Sequence, residues 1–141
     1  MRKIIILLLC CFMSISCRTM PKFEESELSE YFDLCMALDK VDFTYGKKYS
    51  ENPLALKLYK VTHEPFGVKE LYFSIEPYSL TRKKIKAVQK VKKEIYIIFA
   101  STISGWCKAV VYMPEEDEYL IRRAEVFVKL GENLYYFEGE S

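Results

Sequence analysis

The sequence carries a single histidine, His63, among 141 residues. One imidazole makes no Cys/His zinc site by itself. No serine sits in a Gly-x-Ser-x-Gly elbow that would supply a nucleophile for it to activate. A Gly-rich phosphate loop and a Cys-x-x-Cys pair are also missing. Five glycines and five prolines exclude collagen-like and low-complexity chains. Neither sign of charge is in excess. Twenty-one basic and twenty acidic residues leave a net charge of +1, so no overall field draws the chain to nucleic acid, which is not expected as a partner. No spacing marks a solenoid or propeller repeat. These absences lead to the expectation of no catalytic residue, no metal and no cofactor.

What is present begins at the N-terminus. Arg2 and Lys3 precede an almost unbroken apolar run from Ile4 to Ile15. About a dozen residues are too few to span a bilayer, which takes ~20, but they fit the core of a secretory signal. The run ends in Ser14-Ile15-Ser16-Cys17. This segment resembles the lipobox of bacterial lipoproteins, with Ser14 where leucine is usual. The resemblance covers residues 1–17 only. It implies cleavage before Cys17, lipid attachment at Cys17, export, and anchorage to a bacterial cell membrane or outer membrane. Residues 1–16 are then signal peptide and residues 17–23 the lipidated cysteine and a short tether. Five tether residues reach at most ~18 Å, which holds the domain near the lipid surface.

Residues 24–141 read as one globular α+β domain. Leu28, Tyr31, Phe32, Cys35 and Leu38 recur at helical spacing between Glu24 and Lys40, with acids in the first turns. Leu28, Phe32 and Cys35 are expected to face the core, and Glu27 and Glu30 solvent. Ser26 is a candidate cap. Beyond Val41 the period turns to two. Leu54, Leu56 and Leu58 alternate with Ala55, Lys57 and Tyr59; Leu71, Phe73 and Ile75 alternate with Tyr72, Ser74 and Glu76. Further strands are expected over Ile95–Phe99, Lys108–Met113, Leu120–Leu130 and Leu134–Phe137, the last two joined by a Gly131-Glu132-Asn133 hairpin. Tyr45-Gly46-Lys47-Lys48 reads as a turn, and residues 81–94 fit strand or helix equally. The expected architecture is one N-terminal helix on a twisted antiparallel sheet of five to seven strands, or a small half-open barrel capped by the helix.

Candidate sites are few. His63 reads as a loop or strand-end residue. The run Glu115 to Glu118 lacks the spaced Asp/Asn pattern and glycine of a calcium loop and reads as a solvated loop. Tyr135, Tyr136 and Phe137 put rings on both faces of the last strand, and Tyr96, Tyr112 and Tyr119 are candidates for outward faces. Exposed tyrosines on a sheet suit a protein or carbohydrate partner. Arg82, Lys83, Lys84, Lys86, Lys90, Lys92 and Lys93 form a basic stretch, read either as a solvated strand edge or as a contact for anionic lipid headgroups. Cys35 and Cys107 are either bridged or free. The leading functional reading is a lipid-anchored envelope protein with a non-catalytic binding or assembly role. The alternatives are an envelope hydrolase with an unrecognised site, or a secreted inhibitor or adhesin-like module.

Overall fold

The computed structural model describes residues 21–62 and 67–140. The signal segment, Cys17 and His63 lie outside these residues. Helix α1 runs from Glu25 to Asp39. Its start is set by Glu24 rather than Ser26: the Glu24 N–H donates to the Glu27 carboxylate at 3.2 Å, which satisfies one of the helix's orphan donors. The buried stripe is Tyr31, Leu34, Cys35 and Leu38. Leu28 and Phe32 are only half-buried, so the stripe is turned from the expected one. Glu27 and Glu30 are not free solvent groups either. Glu27 pairs with Lys84, and both Glu30 oxygens accept from the Leu80 N–H at 3.2 Å.

Eight strands follow: β1 (Tyr45–Tyr49), β2 (Asn52–Thr62), β3 (Gly67–Ser74), β4 (Ala87–Val91), β5 (Glu94–Ser101), β6 (Trp106–Tyr112), β7 (Ala124–Gly131) and β8 (Leu134–Glu140). A second helix, α2 (Glu118–Arg123), lies between β6 and β7. The strands form one antiparallel sheet in the order β3-β2-β1-β4-β5-β6-β8-β7. The sheet is open, with β3 and β7 at its edges, which sets aside the barrel. The fold is α+β, with more strands than the five to seven expected.

Two of the differences come from short elements. Tyr45-Gly46-Lys47-Lys48 is not a turn but most of β1, paired with β2 on one side and β4 on the other. Gly46 serves close packing there: a Cβ at this position would lie 2.4 Å from Leu58 Cδ2 and 3.0 Å from Val88 Cγ2. The acidic run is not a plain loop. Asp117 Oδ1 accepts from the N–H groups of Tyr119 (3.0 Å) and Leu120 (3.4 Å) and so starts α2. Residues 120–123, expected in a strand, belong to this helix.

The sheet has two apolar faces. The inner face meets α1 through Leu56, Leu58, Val88, Ile95, Ile97 and Val110. The outer face carries Tyr96, Ile98, Ala109, Val111, Tyr135 and Phe137, packed with Met113, Leu120 and Phe127. Strand β8 alternates between the two, so Leu134 to Phe137 are all buried. Cys35 lies in the inner cluster and Cys107 in the outer one, and neither forms a disulfide. Burial pushes the Cys35 thiol up and keeps it protonated.

The basic stretch resolves into turns followed by β4. That strand lies inside the sheet, not at its edge. Four of the seven cations are engaged. Arg82 donates to the Glu76 carbonyl at 2.6 Å, Lys84 pairs with Glu27, and Lys93 lies 3.2 Å from Glu115. Lys90 Nζ donates to the Asp39 and Val41 carbonyls at 2.8 and 3.1 Å, capping the C-terminal end of α1 with a cation.

Candidate functional site: a tyrosine platform and a carboxyl pair

The covering of the outer face stops at β4. On β1, β2 and β3 this face carries no second cluster: Tyr45, Lys47 and Tyr72 are exposed, Tyr49, Lys57 and Tyr59 are half-buried, and Ala55 is buried. Period-two alternation puts Leu56 and Leu58 inward and leaves Lys57, Tyr59 and Val61 outward. In β3 the register pairs Tyr72 with Lys57, Glu70 with Tyr59 and Val68 with Val61. Tyr45 pairs with Tyr59 from the other side. The result is a platform of rings around Lys57, with the exposed Lys47 as its direct cross-strand neighbour on the same face. Lys57 Nζ stands 6.0, 5.7 and 5.9 Å from the ring centroids of Tyr49, Tyr59 and Tyr72. Glu70 lies 3.1 Å from the same ammonium, and its hydrogen bond raises the Lys57 pKa and holds the charge on. The Tyr49 and Tyr72 rings are 5.1 Å apart. Tyr72 is 54% exposed, Tyr45 42%, Val61 55% and Val68 58%. Contiguous exposed rings around a held charge are suited to covering by a partner.

These are not the tyrosines marked in the sequence as outward. Tyr96 is buried on the outer face, Tyr112 is half-buried against Phe32, and Tyr135 and Tyr136 are core residues. Tyr119 alone of that group is exposed, beside Arg123. The signal for the platform is the polar phase of the β2 and β3 alternation, Lys57, Tyr59 and Tyr72.

A second feature lies at the β4–β5 turn and the segment that follows β6. A cleft of about 400 Å³ is lined by Lys92, Lys93, Glu94, Glu115, Asp117 and Tyr119. Glu94 is buried and accepts from the Tyr96 hydroxyl at 3.0 Å. Burial first, then its hydrogen bond to Asp117, raises the Glu94 pKa. The same bond lowers the pKa of Asp117, and the α2 N–H groups add to that. The same hydrogen bond therefore drives the two carboxyls apart, Glu94 upward and Asp117 downward. Paired acids of unequal pKa are the raw material of acid–base chemistry. Here the oxygens have structural duties, because Asp117 caps α2 and Glu94 bonds Tyr96. Direct hydrogen bonding also leaves none of the ~5 Å or more between carboxyls that glycoside hydrolysis uses. Among the described residues, no group of three or more His, Cys, Asp or Glu side chains is placed to hold a metal ion. No described helix is long and apolar enough to cross a membrane. In comparisons with known proteins, no family model, no curated protein and no solved structure matches this chain.

Proposed function

We propose that the chain is an exported, lipid-anchored bacterial envelope protein, held at Cys17, whose domain is a non-catalytic module that binds a protein partner. The observation that carries the binding role is the outer face of β1–β3, with Tyr49, Tyr59 and Tyr72 set around Lys57 and the exposed Tyr45 beside Tyr59. Tyrosine rings are rigid and amphipathic, and interface hot spots are enriched in them. Spread over three neighbouring strands, these side chains suit the surface of a protein partner. The anchor rests on the lipobox resemblance. A lesser membrane contact falls to Lys83, Lys86 and Lys92, the exposed cations left over from the basic stretch.

The test has two parts. Labelled fatty acid should enter the wild-type chain and not Cys17→Ala; equal labelling removes the anchor. The full chain should then be cross-linked in membranes and its neighbours recovered. Alanine at Tyr45, Tyr59 and Tyr72 should lose the principal neighbour, because even one hot-spot ring is worth ~2 kcal/mol, or about 30-fold in affinity. Unchanged recovery removes the platform as the binding surface. The hydrolase reading draws on the Glu94–Asp117 pair. It is favoured only if Glu94→Gln abolishes a measured envelope hydrolysis while leaving partner recovery intact.

A further inference from the structure

The two edges of the sheet are built differently. Strand β7 breaks register with β8 twice, between Ala124 and Val126 and between Lys129 and Gly131. Such bulges twist an edge away from further pairing. Strand β3 has no break: eight successive residues pair with β2 from Ala55–Ser74 to Thr62–Gly67. It contains no proline, and Gly67 to Tyr72 are all exposed. Just past its end, the Ile75 N–H donates to the Leu54 carbonyl at 2.7 Å. In an antiparallel ladder, alternate residues turn their backbone groups to the partner. Phe73, Leu71 and Lys69 therefore bond to β2. Ser74, Tyr72, Glu70 and Val68 present N–H and C=O outward, along an edge that fits another extended strand.

We infer that a second copy of this chain fills that edge, with β3 pairing antiparallel to β3 about a two-fold axis through Leu71. The sequence of the strand selects this register. An axis through Glu70 would set Glu70 against itself, and one through Lys69 would set Lys69 against itself, both like-charge pairs. The axis through Leu71 sets Leu71 on Leu71, Lys69 opposite Phe73, Glu70 opposite Tyr72 and Val68 opposite Ser74. All four outward-facing residues then fall in hydrogen-bonded pairs, about eight bonds in total at two per pair. On the inner side, Leu58 and Leu71 of one copy continue into Leu71 and Leu58 of the other, and Leu71, 47% exposed, becomes covered. On the outer side, Glu70 of one copy meets Tyr72 of the other. The two tyrosine platforms merge into one surface. The pairing stands apart from the protein-partner reading, because it uses the edge of the sheet and leaves the rings facing solvent.

The experiment uses the full chain in membranes and in mild detergent. Leu71→Cys places two thiols across the axis in a non-hydrogen-bonded pair, at Cα separations near 4.5 Å that a disulfide accepts. Oxidation should give a covalent dimer at least about fivefold above the wild-type chain and above Tyr72→Cys, whose thiol faces Glu70 instead. Adding Glu70→Pro to Leu71→Cys removes one outward N–H and no backbone bond to β2, besides the surface Glu70–Lys57 ion pair. This should return dimer yield to the wild-type level while the circular-dichroism melt persists. The inference is overturned if Leu71→Cys gives no more dimer than wild type, or if Tyr72→Cys matches it. Capture of a different protein by Leu71→Cys, without the homodimer, overturns it as well.

Discussion

The half of the sheet built from β5, β6 and β8 and the half built from β1, β2 and β3 obey different rules. In the first, both faces are buried: Ile95 and Ile97 meet α1, while Tyr96 and Ile98 are covered from the other side. In the second, only the α1 side has a core, which reaches Leu56 and Leu58 but leaves Leu71 47% exposed, and tyrosines face water where the first half has a second core. One sheet thus contains a half with a core on both faces and a half with a core on one. The contrast shows that tyrosine content alone says little about exposure in a strand-rich chain. What decides is whether something lies over the face.

The largest effect should separate these halves directly. Phe137→Ala, in the doubly covered half, is expected to cost ~3–5 kcal/mol, and Tyr72→Ala on the outer face of the other half less than about 1 kcal/mol. Denaturant melts of both variants measure this, and similar losses would break the comparison. Gly46 probes the α1 side of that other half. Gly46→Ala should cost ~1–3 kcal/mol, because Leu58, Val88 and the Lys57 carbonyl surround the added methyl. A neutral result would mean that this half is loosely packed beneath α1 as well.

Glu94 sharpens the comparison through pH. Its carboxyl is held above the ordinary glutamate range, so it adds stability that is fully present below about pH 4.3 and fades as pH rises through its folded value. Asp117 works oppositely: its lowered pKa adds stability above about pH 3.9 that is lost as pH falls. Glu94→Gln keeps both hydrogen bonds without the titration. It should flatten the upper slope, read as melting temperature against pH, and leave the acid limb in place. The smallest effect is at Lys92, in the β4–β5 turn with φ of 55°. Lys92→Gly should raise stability by ~0.5–1 kcal/mol by relieving a left-handed conformation that lysine disfavours. A loss there would mean that the side chain, not the backbone, matters at this turn.

Much of the fold was legible in the sequence because two periods dominate it. Helix α1 is visible from Tyr31, Cys35 and Leu38, β2, β3, β5 and β7 from their alternation, and β8 from the hairpin that precedes it. The hairpin at Gly131-Glu132-Asn133 is also visible, and Asn133 takes φ of 57° there. Strand β1 was hidden because Gly46, Lys47 and Lys48 have the composition of a turn. Its membership in the sheet is fixed by neighbours on both sides rather than by its own residues. Helix α2 is six residues long, too short to show a period, and its start depends on a single aspartate. The carboxyl pair joins positions 94 and 117 from different elements, so no local pattern records it. The platform was half legible: Lys57, Tyr59 and Tyr72 show the right phase, but only the course of the covering residues shows that this face carries no second core.

Phe23 gives the domain a fixed point of suspension. Its ring lies 5.8 to 6.5 Å from those of Tyr31, Phe99 and Tyr136, which pins the chain to the inner side of β5 and β8 before α1 begins. With the proposed anchor at Cys17, the stalk is six residue steps, at most about 22 Å. The β3 edge lies four strand spacings from β5, about 19 Å to the side of that suspension point. Under that proposed anchor the domain would hang off-centre, like a flag from one end of its pole, with the β3 edge well to the side of the attachment point. Neighbours anchored in the same lipid sheet would share one narrow layer. Their β3 edges would then meet in a plane instead of a volume.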